Sequence, residues 1–171
     1  MSLKNYRSKR DFKESPEPLP VRKFSRGALT FVIQKHAARR LHYDFRLEYK
    51  GVLLSWAVPK GPSLNPQDKR LAIKVEDHPL DYQYFEGVIP KGSYGAGTVE
   101  IWDHGHYTTY DARSRKDVEK ELEEGLKKGH FAILLSGEKL HGEFVFQKLK
   151  QDPNDNAWLL IKKGDEFADK R

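Results

Sequence analysis

From Leu29 onward the chain consists of short apolar runs of five to nine residues, rich in β-branched and aromatic side chains. They are Leu29–Lys35, Leu41–Tyr49, Val52–Val58, Arg70–Glu76, Thr98–Trp102, His106–Tyr110, Phe131–Ser136, Glu143–Leu149 and Ala157–Lys162. Turn pairs such as Lys50-Gly51 and Gly61-Pro62 separate them, which predicts a mainly β, mostly antiparallel sheet that closes on itself or packs as a sandwich. One segment follows a different period. Between Ser114 and Gly129, Val118, Leu122 and Leu126 recur every four residues among charges. That spacing predicts one amphipathic helix over about 115–128, started by Ser114 or Asp117 and ended by Gly129.

Pro16, Pro18 and Pro20 forbid a helix around them, so residues 1–28 are expected to form an extended arm. Residues 29–163 are expected to form the β core, and 164–171 a polar tail that frays. At 171 residues this is one domain. With no Cys, disulfide staples, Cys-ligated zinc and a thiol nucleophile are excluded. No apolar run is long enough to span a bilayer and the first residues lack a signal-peptide core, so a soluble cytoplasmic protein with no membrane partner is expected.

The net charge of +6 gains meaning from its distribution. The first 50 residues hold 13 Lys and Arg against 5 Asp and Glu, a local excess of +8, while the other 121 residues sum to −2. A basic half joined to a near-neutral one is the footprint of a surface that meets phosphates.

The densest chemistry lies in His36-Ala-Ala-Arg-Arg-Leu-His42-Tyr-Asp44-Phe-Arg46-Leu47. On a strand, alternation sends Leu41, Tyr43, Phe45 and Leu47 to the core and His42, Asp44 and Arg46 together to the other face. His42 and Asp44 are close enough along the strand to reach one metal ion, and His36, across a tight connection, is the nearest second imidazole. Further on, Leu71, Ile73 and Val75 read as core-facing, which places His78 and Tyr82 in the loop after their strand. The stretch Pro90-Lys-Gly-Ser-Tyr-Gly-Ala-Gly97 lacks the ending of a P-loop and reads as a turn. Three classes fit these residues: a metal-dependent phosphoesterase, a His-x-Asp non-haem iron oxygenase with His104, His130 or His141 as third ligand, and a module that binds nucleic-acid ends without chemistry. The basic half favours phosphate and places the oxygenase last.

The run from Phe31 to Glu48, with Leu54-Ser-Trp-Ala-Val-Pro-Lys-Gly-Pro62, Val75-Glu-Asp-His-Pro-Leu-Asp-Tyr82 and Phe85-Glu-Gly-Val-Ile-Pro-Lys-Gly-Ser-Tyr-Gly-Ala-Gly97, resembles the 3′-phosphoesterase domain of bacterial DNA ligase D and its stand-alone relatives. The resemblance is dense from about Arg10 to Trp102. It implies a small closed β-barrel with its site on a concave outer face, and an enzyme of nonhomologous end joining. Such an enzyme removes a 3′-terminal ribonucleoside and then the 3′-phosphate, leaving a 3′-OH. It implies Mn²⁺, or another divalent transition metal, held by His36, His42 and Asp44. Arg46, His78 and Tyr82 match catalytic and phosphate-binding positions, Lys60 and Arg70 match further basic positions, and Arg10, Asp11 and Glu17 match site residues of the arm. The implied partners are DNA or RNA–DNA 3′ ends at a primer-template and a separate ligase or end-joining factor. A free-standing monomer working at the nucleoid is the resulting expectation.

Overall fold

The structure, a computed structural model, describes residues 2–170. Met1 and Arg171, the outermost residues of the expected arm and tail, lie outside the described residues. Helix α1 (Lys4–Ser8) precedes nine strands: β1 (Thr30–Ala37), β2 (Leu41–Tyr49), β3 (Val52–Val58), β4 (Arg70–Pro79), β5 (Gly87–Ile89), β6 (Gly97–Thr108), β7 (His130–Gly137), β8 (His141–Lys148) and β9 (Ala157–Lys162). Helix α2 (Arg115–Lys128) lies between β6 and β7, and a 3-10 turn (Leu80–Tyr84) joins β4 to β5.

All described strand pairs are antiparallel, in the order β1-β2-β3-β4-β9-β8-β7-β6, and β1 then pairs with β6 to close an eight-stranded barrel. Strand β5 is an addition on β6. Closure settles the choice between barrel and sandwich and leaves none of the eight strands with an unpaired edge along its whole length.

Alternation fills the barrel with one continuous cluster that includes Phe31, Phe45, Leu54, Trp56, Phe146 and Trp158. Trp56 and Phe146 meet at 4.7 Å between ring centroids, and Phe131 stacks on Phe146 at 4.9 Å. Truncating one such ring to alanine typically costs about 3–5 kcal/mol. Helix α2 packs Val118 and Leu122 onto the same cluster. The Ser114 side chain accepts from the Asp117 N–H, and Gly129, at φ +80°, closes the helix by donating to the Gly125 carbonyl. These are the ends that the sequence predicts.

A second apolar cluster lies outside the barrel wall. Tyr6 of α1, Leu53 of β3, Leu80, Tyr82 and Phe85 around the 3-10 turn, Ile89 of β5 and Val99 of β6 bury one another, with Phe12 against them. The arm and residues 80–89 therefore form a second layer over one side of the barrel.

Four expectations change. The arm begins with a helix, because its prolines start only at residue 16 and leave Lys4–Ser8 unrestricted. The polar break expected within 98–110 is absent: β6 runs through it, and the Asp103 carboxylate accepts from the backbone N–H groups of Glu138, Lys139 and Leu140. Beyond Gly164 the tail is held rather than frayed. Asp165 accepts from Lys162 Nζ at 2.5 Å and from the Glu143 N–H, and the Asp169 N–H donates to the Leu64 carbonyl.

The fourth change concerns β4. Ala72 is the β4 residue in the barrel core, Lys74 lies over Trp56, and Leu71 is exposed. Ile73 and Val75 pair with Ala57 and Ser55 on the outward face. The register then shifts between Val75 and His78, so Val75, Glu76 and His78 all reach the outer cleft described next.

Candidate active site

Strands β1 and β2 form a hairpin whose register sets His36 opposite His42, Gln34 opposite Asp44 and Val32 opposite Arg46. His36, His42 and Asp44 present ligand atoms within 4.8 Å of one another. Among the described residues this is the group of His and carboxylate side chains close enough to share a metal ion. His104, His130 and His141, the alternative third ligands, are not part of it.

The two imidazoles are oriented by backbone. His36 donates from Nε2 to the Gly95 carbonyl at 2.7 Å, so Nδ1 faces Asp44 Oδ2 at 3.5 Å. His42 donates from Nδ1 to the Arg40 carbonyl at 3.1 Å, so Nε2 faces Asp44 Oδ1 at 3.3 Å. Carbonyl oxygens only accept, so the outer nitrogens carry protons, and a metal ion or a second ring proton must lie between each inner nitrogen and the Asp44 carboxylate. The donor set therefore fits a divalent transition metal, with backbone carbonyls in the supporting role that orients ligating histidines.

Electrostatics agree with the geometry. Burial pushes the Asp44 carboxyl up, but the Arg46 charge and the hydrogen bonds from His36 and His42 outweigh it and hold the group well below the usual carboxylate range. Burial lowers the His42 imidazole, and the Asp44 carboxylate more than reverses that, raising it above its ordinary value. The Asp44 carboxylate thus keeps its negative charge at the centre of the trio, where it can attract a cation.

Beside the trio, Arg46 is buried and fixed on two sides. Its Nε donates to Gln34 Oε1 at 2.7 Å, and its Nη2 lies 3.4 Å from Asp44 Oδ2. Gln34 is held in turn by donating Nε2 to the carbonyls of Tyr82 and Phe85. Arg46 Nη1 is buried and has no hydrogen-bond partner among the described residues. A buried guanidinium edge without an acceptor is costly, and it suits an anionic oxygen such as that of a phosphate or a carboxylate.

The trio, Arg46, His78, Tyr82 and Arg10 line one cleft of about 270 Å³. A cavity of about 320 Å³ between α2 and β7 is slightly larger but holds no such group. His78 is not in a loop as expected but is the penultimate residue of β4. Its Nδ1 donates to the Glu76 carbonyl at 2.9 Å and its Nε2 lies 3.5 Å from Arg10 Nη2. Burial, then the Arg46 and Arg10 charges, push its imidazole well below the usual value, so it is neutral and its Nε2 is an acceptor. Tyr82, in the 3-10 turn, donates to Glu17 Oε2 at 2.7 Å, and burial holds its proton firmly.

The arm completes one wall. Arg10 donates from Nε to Glu17 Oε2 at 2.9 Å and stacks 3.9 Å over the Tyr6 ring, while Ser15 Oγ donates to Glu17 Oε1. Glu17 is buried and does not line the cleft; it positions Arg10 and Tyr82. Asp11 accepts from the Lys13 N–H on the exposed side of the arm. Lys60 is exposed, Arg70 pairs with Asp68 at 3.6 Å, and neither lines the cleft. Two residues were missed in the sequence. Gln34 shares the outward face of β1 with His36, so alternation could have found it. Glu76, which holds Lys9 at 2.5 Å and Arg10 at 3.4 Å, depends on the β4 register shift that no local pattern announces.

A family model described as the DNA ligase D 3′-phosphoesterase domain matches residues 34–148. The chain is 50% identical over 168 residues, 97% of its length, to the multifunctional non-homologous end joining protein LigD of Pseudomonas aeruginosa, covering 19% of that protein. It is 51% identical over 136 residues, 77% of its length, to the multifunctional non-homologous end joining DNA repair protein LigD of Mycobacterium tuberculosis H37Rv, covering 18% of it. The match to the LigD protein of Mycolicibacterium smegmatis is 44% over 165 residues, 96% of the chain and 21% of the relative. The chain spans about a fifth of the length of these relatives.

Proposed function

The chain belongs to the DNA ligase D 3′-phosphoesterase family, and from that premise we propose that it is a Mn²⁺-dependent enzyme that heals 3′ ends for end joining. It removes a terminal ribonucleoside as a phosphodiesterase and then the remaining 3′-phosphate as a phosphomonoesterase. The observation that carries this reading is the buried, unpartnered Nη1 of Arg46 beside a His-His-Asp donor set in one cleft.

His36, His42 and Asp44 would hold the metal, which supplies Lewis-acid neutralisation of phosphate charge. Arg46 takes a phosphate oxygen on Nη1, its plane already set by Gln34 and Asp44, so little reorganisation is needed on binding. Arg10 approaches from the arm, steadied by Glu17 and Glu76. Neutral His78 offers Nε2 as a proton acceptor. The charge of a bound phosphate offsets the Arg46 and Arg10 charges that depress it, so His78 can take up a proton from solvent on binding and pass it to the leaving oxygen as water adds to phosphorus and the P–O bond breaks. Tyr82 keeps its proton and shares it with Glu17; turning that hydroxyl toward a phosphate oxygen orients the substrate.

The test is a 5′-labelled primer-template ending in one ribonucleotide, incubated with protein and Mn²⁺. The expected products are a strand shorter by one nucleoside with a 3′-phosphate, then the same strand with a 3′-OH, both abolished by EDTA. Binding with no change in the strand would overturn the enzymatic reading.

A further inference from the structure

Of the aromatic residues lining the cleft, Tyr94 alone is exposed: 49% of its surface is open, while Tyr82 beside it is buried. Its ring has cations on hand, with Lys9 Nζ 4.9 Å and the Arg10 guanidinium carbon 5.4 Å from its centroid. The glycine-rich loop that carries it, which the sequence marks only as a turn, is fastened at several points. The Gly95 carbonyl takes the His36 hydrogen bond, the Ser93 N–H donates to the Pro90 carbonyl and the Ala96 N–H to the Ser93 carbonyl. Gly97 lies so close to β1 that a Cβ there would fall 2.3 Å from the Ala37 carbonyl oxygen. The ring is thus presented to solvent from a docked loop, one residue from the carbonyl that orients His36.

A nucleotide end has an anionic group and a flat aromatic group one sugar apart. The cleft offers the complement: Arg46 and Arg10 for the phosphate, and an open phenol ring next to Arg10 for a base. We propose that Tyr94 is the platform on which the terminal base of a bound 3′ end stacks, an assignment that rests on reading the cleft as a 3′-end phosphoesterase site. Stacking uses the face of any base, so this contact adds affinity without choosing sequence, as healing of arbitrary ends requires. It also gives the loop a task that a simple turn between strands lacks.

The test uses a primer-template whose 3′-terminal base is 2-aminopurine, a fluorophore quenched by stacking, titrated with the full chain in EDTA so that no product forms. Quenching by the wild type and by Tyr94→Phe, lost in Tyr94→Ala, is expected. In a kinetic cycle with Mn²⁺ and natural bases, Tyr94→Ala should lower kcat/KM about 10- to 100-fold. An abasic 3′ end should lower it similarly, and the two together little further. Absence of quenching in the wild type, equal quenching in Tyr94→Ala, or additive kinetic losses would overturn the platform. Quenching that depends on Tyr94, with no end hydrolysed under any divalent metal, would leave the platform standing and overturn the phosphoesterase reading instead.

Discussion

Asp44 and Glu48 lie four residues apart on the same outward face of β2, both buried, and they could hardly be treated more differently. Glu48 is saturated: Oε1 accepts from the Thr30 N–H at 3.0 Å and from its hydroxyl at 3.1 Å, and Oε2 from Arg115 at 2.8 Å and from the Ser25 hydroxyl. Among the described residues Asp44 has only two imidazole nitrogens at 3.5 and 3.3 Å and one arginine nitrogen at 3.4 Å, all from the site itself, and it opens onto a cleft. One carboxylate is fully hydrogen-bonded within the protein and ties the arm's base and α2 to the barrel. The other is left with coordinating capacity. Burial of a charge alone therefore says little about function; how far its partners satisfy it says much more.

Substitutions that remove each charge should break the comparison in opposite directions. Asp44→Asn should lower the release of 3′-phosphate by about 10²–10³-fold while moving the thermal midpoint far less. Retained activity at near wild-type rate would remove Asp44 from the metal site. Glu48→Gln should leave turnover per folded molecule within a few-fold. It should cost about 2–3 kcal/mol of stability, roughly 5–10 °C in a melting curve, below the usual range for a broken buried pair because Arg115 still reaches water. An unchanged midpoint would show that the closed end is not structural.

The pH dependence sharpens the contrast. His78, in the open cleft, has a folded pKa depressed well below its unfolded value near 6.5. The unfolded chain then binds a proton that the folded one refuses, so this contribution to stability is present above about pH 6.5 and lost as pH falls below it. Urea titrations at pH 7.0 and 5.5 should show a wild-type loss that His78→Gln reduces by up to about 1.4 kcal/mol per pH unit. Identical slopes would mean that His78 is not held neutral. The smallest effect is that of salt. Affinity for a 3′ end should fall with a log–log slope of roughly −0.7 to −0.9 per phosphate contacted, whereas the midpoint set by the buried Glu48–Arg115 contact should barely move.

What the sequence revealed follows the range of the interactions involved. Helix α2 was legible to its caps because Ser114, Gly129 and the four-residue spacing of Val118, Leu122 and Leu126 are local. His42, Asp44 and Arg46 were legible as one face because alternation is local, and His36 because a hairpin is nearly so. The phase of β4 was not. Leu71, Ile73 and Val75 look like core residues, but they lie on the outward face, with Leu71 exposed, while Ala72 and Lys74 take the inward positions, so the alternation of polarity points the wrong way. Closure through β1 and β6 joins residues some sixty or more positions apart, as in Gln34 opposite Ile101, and left barrel and sandwich equally consistent with the strand pattern. Lys60 and Arg70, which only the family resemblance suggested, stand outside the cleft in this chain.

The β1–β2 hairpin carries one more consequence, for the order in which the site is assembled. His36, His42 and Asp44 lie within nine consecutive residues and face one another across a connection of three, whereas Arg10, His78 and Tyr82 reach the cleft only through contacts between distant parts of the chain. Hairpins of this kind form in microseconds, and barrels dominated by long-range pairing close far more slowly. The three donors can thus approach their final spacing while the barrel is still open. Damage elsewhere in the wall should strip away the phosphate-facing groups before it separates the trio, leaving a chain that still captures metal but no longer acts on ends.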